Sequence, residues 1–146
     1  MKMNQKTFVL FFLVSLFALM LIVGACSKSD PSQEDVFLKK LNAKTWTVSA
    51  VSLDGKDVTS LFPGFQLTIT TSKTYTSTNA VIPIWKANGS FSLKGTGPNF
   101  HLLRDDGVDV TVVQADTKLV LEFQYDKALA GGRVGAVSGG YHFEFN

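Results

Sequence analysis

Two periodicities divide the chain. Positions 8–23 form a run of 16 residues from Phe8 to Val23 that is apolar except for Ser15 and is preceded by Lys2 and Lys6. From Lys44 onward, apolar and polar residues alternate with a period of two, which puts successive side chains on opposite faces of a strand. Between them, Phe37, Leu38 and Leu41 fall on one helical stripe with Lys39 and Lys40 outside it. This spacing predicts a short helix, capped by Asp30 or Ser32, with Pro31 in the first turn and an end near Asn42-Ala43. Its stripe is expected to cover one end of the body, the alternative being a partner-binding helix.

The alternating region predicts eight short strands. Trp46, Val48 and Ala50 share a face of the first, and Asp54-Gly55 supplies a turn. Phe65, Leu67 and Ile69 mark the second, and the threonine-rich stretch Thr74 to Thr78 around Tyr75 the third. Pro83 breaks an apolar bend before Trp85, Asn88-Gly89 reads as a turn, and Phe91 and Leu93 alternate with Ser90, Ser92 and Lys94 in the fourth. After Gly95-Thr96-Gly97-Pro98, the fifth spans about Asn99 to Arg104, and Asp105-Asp106-Gly107 is a hairpin turn. Val108, Val110 and Val112 make the sixth; Lys118 to Tyr125, with Leu119, Leu121 and Phe123 inward, the seventh; Tyr141, Phe143 and Phe145 the eighth. The fold class is therefore all-β, an eight-stranded antiparallel up-and-down barrel preceded by one short N-terminal helix. Closure removes exposed sheet edges, and eight strands enclose an interior that side chains or one small ligand can fill. A two-sheet sandwich is the alternative. Membrane-spanning strands run to about 9–11 residues with apolar outer faces, so an outer-membrane pore is rejected.

The apolar run at the start has the layout of a signal peptide, residues 1–25, too short and wrongly flanked for a permanent spanning helix. Val23-Gly24-Ala25-Cys26 resembles the bacterial lipobox. That resemblance implies diacylglycerol on the Cys26 thiol, cleavage just before it and acylation of the freed amine, which would anchor the protein durably. The alternative is a buried or free cysteine. Residues 26–33 then form the lipidated cysteine and a small, polar tether, and residues 34–146 the barrel domain. Ser27 is not the aspartate that holds enterobacterial lipoproteins in the inner membrane, so the outer membrane is favoured. The side faced stays open, because only Asp30 and Glu34-Asp35 stand where a surface-export signal would carry an acidic cluster.

Removing the leader changes the composition. Of 14 Lys and Arg, two precede Cys26, leaving 12 against 12 Asp and Glu. The pI of 8.7 and the mean hydropathy of +0.16 are both inflated by the leader. No basic surface points to nucleic acid, and with Cys26 lipidated no disulfide can form.

A helix leading to a tryptophan in the first strand, the eight-strand meander, Trp85-Lys86-Ala87-Asn88-Gly89, and the closing Gly-Gly-Tyr-x-Phe-x-Phe resemble the lipocalin-like (calycin-type) lipoproteins of the Bacteroidetes group. In lipocalins the first-strand tryptophan follows Gly-x and is covered by an arginine from near the last strand. Lys44-Thr45-Trp46 lacks that glycine, while Arg133 stands where the arginine would. The resemblance implies that Arg133 stacks on Trp46 and closes the barrel bottom.

Candidate chemistry is sparse. His142 and Glu144 share a strand face opposite Tyr141, Phe143 and Phe145, hence the outer one, and His101 alternates with Phe100 and Leu102, so neither histidine is expected to bind metal. Asp105 and Asp106 read as turn residues rather than a catalytic pair. The segment 131–140 has neither phosphate-loop nor dinucleotide spacing, and Ser138 lacks Gly-x-Ser-x-Gly; it reads as a barrel-mouth loop with a bulge before the last strand. No catalytic residue, metal or cofactor is expected, nor nucleic acid. The leading expectation is a small apolar or amphipathic ligand held in the barrel interior or mouth by Trp46, Phe65, Tyr75, Trp85, Phe91, Phe123, Tyr141 and Phe143, with apolar loops at Val81 to Ile84 and Ala128 to Val137 admitting it. The alternative is a filled barrel that meets an envelope protein through its loops, as an interaction, structural or inhibitor module.

Overall fold

The computed structural model describes residues 30–97, 99–126 and 137–146, and residues 31–146 form one compact unit. The leader, Cys26, Arg133 and most of the glycine-rich segment lie outside the described residues.

Helix α1 (Gln33–Leu41) starts at Ser32, whose hydroxyl accepts from the Asp35 N–H while the Asp35 carboxylate accepts from the Ser32 backbone, a reciprocal capping box. Ser32 is thus the cap, and Pro31 precedes the helix rather than sitting in its first turn. Leu38 and Leu41 are buried, and Phe37 packs on Phe100 with ring centroids 5.0 Å apart.

The strands are β1 (Trp46–Leu53), β2 (Lys56–Asp57), β3 (Gln66–Ile69), β4 (Thr74–Thr78), β5 (Asn88–Lys94), β6 (His101–Arg104), β7 (Asp109–Gln114), β8 (Leu119–Tyr125) and β9 (Gly139–Phe145). Their order is β2-β1-β3-β4-β5-β6-β7-β8-β9, all pairs antiparallel, and β1 also pairs with β9. The β1–β9 pairing closes the sheet into an eight-strand barrel. Strand β2 is a two-residue return along β1 across the Asp54-Gly55 turn, where both residues have positive φ, 50° and 77°.

Three features depart from simple alternation. In β1 the register shifts between Val48 and Ala50, a bulge that moves the inward phase to Val51, so Ala50 is only half-buried. Asn88 and Gly89 lie inside β5 and not in a turn. Gly89 pairs with Tyr75, and a Cβ there would sit 2.5 Å from the Tyr75 hydroxyl, so the glycine makes room for the ring. Strand β6 begins at His101, two residues later than the alternation implied.

Strands β1, β4, β6 and β8 run away from α1, and β3, β5, β7 and β9 run back. Segments 58–65, 79–87 and 105–108 therefore lie at the end far from the helix. At the near end the Trp46 indole N–H donates to the Leu41 carbonyl at 2.8 Å, and the Asn42 side chain donates to the Ile69 carbonyl at 2.9 Å. Both bonds fix the C-terminus of α1 across the barrel. Lys44 Nζ stands 4.6 Å from the Trp46 ring centre, so among the described residues the cation over Trp46 is Lys44.

Candidate functional site

The inward positions carry rings. Phe65, Phe143 and Phe145 are fully buried, and Phe91, Phe123 and Tyr141 nearly so. They pack on one another: Phe123 stacks on Tyr141 at 5.4 Å and on Phe143 at 5.7 Å, and Phe143 stacks on Phe145 at 6.0 Å. Two further side chains enter from the far end. Phe62, after the 3-10 turn Thr59–Leu61, meets Phe143 edge-on at 4.9 Å. Trp85, from the β4–β5 loop, touches Phe65, Tyr75 and Phe123 at 6.0, 5.7 and 5.7 Å. Aromatic pairs at these separations add about 0.5–1.5 kcal/mol each beyond their buried area. The loop expected to admit a ligand thus tucks Ile84 and Trp85 into the barrel and exposes Ile82 instead.

Within this apolar interior lies one cation. Arg104 is the buried charged residue of the described core; its guanidinium sits 4.5 Å over Trp85 and 5.8 Å from Phe123. Nη1 donates to the Ile84 carbonyl at 3.1 Å and Nη2 to the Asp106 carboxylate at 2.5 Å, while the other Asp106 oxygen accepts from the Val108 N–H. Asp106 is therefore a largely buried counter-ion and not a solvated turn carboxylate. Asp105 fits the turn reading better, for it accepts from Lys86 and from the Ser90 N–H. Next to Arg104, the Tyr75 hydroxyl, Trp85 Nε1 and Arg104 Nε are buried without a hydrogen-bond partner among the described residues. Each such group costs about 1–3 kcal/mol unless an acceptor reaches it. Burial also pushes the Tyr75 phenol above its usual range.

At the far end, Leu61 and Ile82 are 62% and 75% exposed, the most exposed large hydrophobic side chains among the described residues. The Asn79 side chain donates to the carbonyls of Pro63 and Gly64, tying together the two loops that carry them.

The outer wall is polar. Lys94, His101, Thr111, Glu122, His142 and Ser52 are successive register partners across six strands and form one row. His142 lies 2.8 Å from Glu122 and 3.3 Å from Glu144, and His101 lies 3.2 Å from Asp109. Among the described residues no group of three or more such side chains is arranged to hold a metal ion. The hydrogen bond to Glu122 chiefly, opposed by partial burial and aided by Glu144, raises the His142 pKa above the ordinary 6.5. A raised folded-state value means stabilisation that is complete below about pH 6.5 and is lost as pH climbs through the folded-state value. The melting-temperature gap between the wild type and His142→Gln should accordingly be widest near pH 5.5 and shrink above neutrality. The underlying effect is under about 1 kcal/mol, since the pair is solvent-exposed. A gap that stays constant or widens with pH contradicts this reading.

The structure thus brings Trp46, Phe65, Tyr75, Trp85, Phe91, Phe123, Tyr141 and Phe143 into one buried cluster. Cys26 and Arg133 lie outside the described residues. Sequence reasoning passed over Arg104, although Phe100, Leu102 and Arg104 share the inward phase, and over Phe62 and Leu61, which belong to no alternating run. No protein-family model matches the chain, and no curated protein matches it.

Proposed function

We propose that the protein is a lipid-anchored envelope protein of the lipocalin-like kind whose ring-filled barrel serves as a rigid interaction module, meeting a protein partner through the loops at its far end. The observation that carries this reading is the inward folding of Ile84 and Trp85 with Leu61 and Ile82 left outside. A barrel mouth built for a ligand would turn apolar loop residues toward a cavity, whereas here they cap the ring cluster and present two aliphatic side chains to the surroundings. The leader and the Val23-Gly24-Ala25-Cys26 motif support export and acylation, with the outer membrane as the favoured site.

A photo-crosslinking residue placed at Leu61 or Ile82 in the native envelope tests the reading. The expected result is one discrete protein adduct from both positions, abolished by the second-site change to Asp, and none from Val113, an equally exposed aliphatic on the barrel wall. Equal labelling from Val113, or no adduct at either loop, contradicts it.

A carrier role is the second reading, and one observation favours it: the unpartnered Tyr75 hydroxyl, Trp85 Nε1 and Arg104 Nε. The acceptor group of an amphipathic molecule entering beside Trp85 would give these donors a partner.

A further inference from the structure

The chain enters the folded domain at the end that carries α1. On the reading that Cys26 carries the lipid, Pro31 is five residues away, and an extended chain spans at most about 3.3–3.6 Å per residue. Pro31 therefore stays within about 20 Å of the acylated residue, and the start of α1 at Gln33 within about 25 Å. The far-end loops are separated from that point by the whole length of the barrel.

The helix end carries the cations that a headgroup layer would meet. Around α1, Lys39, Lys40, Lys44 and Lys118 are exposed alongside Asp30, Asp35 and Asp116, while Glu34 is paired with Lys73 at 2.6 Å. The far end exposes Asp54, Asp57, Asp105 and Asp126 against Lys56 and Lys86 among the described residues, and the sequence joining β8 to β9 adds Lys127 and Arg133. Val36, 41% exposed, stands on the outer side of α1 between clefts that Pro31, Val36 and Lys40 line in common. A helix that offers lysines with an aliphatic side chain between them suits the headgroup layer, where the ammonium groups meet phosphate and the stems and Val36 meet glycerol and acyl carbon.

From this geometry we infer that the α1 end rests on the membrane surface, with Lys39 and Lys40 against the phosphates of anionic phospholipid headgroups, and that the Leu61–Ile82 end is held away from it. The tether keeps the helix near the surface at all times, so a modest bias is enough to orient the body. Each lysine at an anionic surface favours contact by about fivefold.

The test uses the full acylated protein in vesicles of phosphatidylethanolamine and phosphatidylglycerol carrying a nitroxide on a fraction of headgroups. With Cys26 acylated, a cysteine introduced at Val36 or at Ile82 is the sole free thiol and takes one fluorophore. Mass spectrometry of the N-terminal peptide reports acylation separately. The expected result is quenching several-fold stronger at position 36 than at 82, with the ratio falling toward one in Lys39→Gln/Lys40→Gln or in vesicles without phosphatidylglycerol. Equal quenching, or stronger quenching at 82, with Cys26 acylated overturns the orientation and leaves the anchor standing. An unmodified Cys26 overturns the anchor and the orientation with it. Since both lysines are exposed, their replacement should leave the melting temperature unchanged, which separates lost contact from lost fold.

Discussion

Asp106→Ala should destabilise the domain by about 3–5 kcal/mol, the loss expected when one member of a buried ion pair is removed and the other stays behind. The Arg104 side chain is 1% exposed and that of Asp106 12%, so a guanidinium left alone is shut from bulk solvent and has no second carboxylate in contact among the described residues. Its remaining neighbours are the Ile84 carbonyl and the faces of Trp85 and Phe123, which attract a cation far less than a carboxylate does. The partner substitution should behave differently. Arg104→Met removes the buried charge together with its desolvation cost and leaves Asp106 in a turn that can open to water. It should therefore cost less than Asp106→Ala, mainly the lost bond to Ile84, about 1 kcal/mol. Chemical denaturation of both variants decides the matter. Equal costs, or a larger cost for Arg104→Met, would mean that the guanidinium is retained for packing or for a bound group rather than tolerated with its counter-ion.

Trp46→Ala should cost a similar 3–5 kcal/mol, against the 5–15 kcal/mol that typically separates folded from unfolded domains. Trp46 is 1% exposed at the start of β1, and its indole N–H holds the last carbonyl of α1. Two losses therefore add: a large cavity at the near end of the barrel and the release of the helix. Trp46→Phe separates them, because it keeps most of the ring volume and loses the bond to Leu41. That variant should lose only about 1 kcal/mol beyond the smaller ring, yet expose α1 to proteolysis ahead of global unfolding. A near-neutral Trp46→Ala would place the tryptophan outside the stabilising core.

Much of the barrel was readable from alternation, because each strand has one packed and one wet face. Leu67 and Ile69; Val108, Val110 and Val112; Leu119, Leu121 and Phe123; and Tyr141, Phe143 and Phe145 all point inward as their spacing implies. Where local chemistry imitates something else, the reading failed. Asn88-Gly89 has the composition of a hairpin turn, but Gly89 answers to the Tyr75 ring across the sheet, a contact no local window contains. The bulge in β1 arises because this strand pairs with β3 at its start and β9 along the rest, two partners whose registers are set elsewhere. Arg104 sat in the inward phase, yet a charge at a strand end ordinarily faces water, and only the fold brings Asp106 and Trp85 to it. For Ile84 and Trp85 the apolar character of the loop was visible but not its direction, and direction separates a ligand mouth from a plug.

Whether the barrel is a filled module or a carrier is decided most directly by native mass spectrometry of the protein purified from its expressing cells in a mild non-ionic detergent. The expected native mass equals that of the denatured chain with its covalent groups and nothing more. A reproducible addition of a few hundred daltons, lost on unfolding, would contradict it and assign the Tyr75, Trp85 and Arg104 donors to a bound molecule.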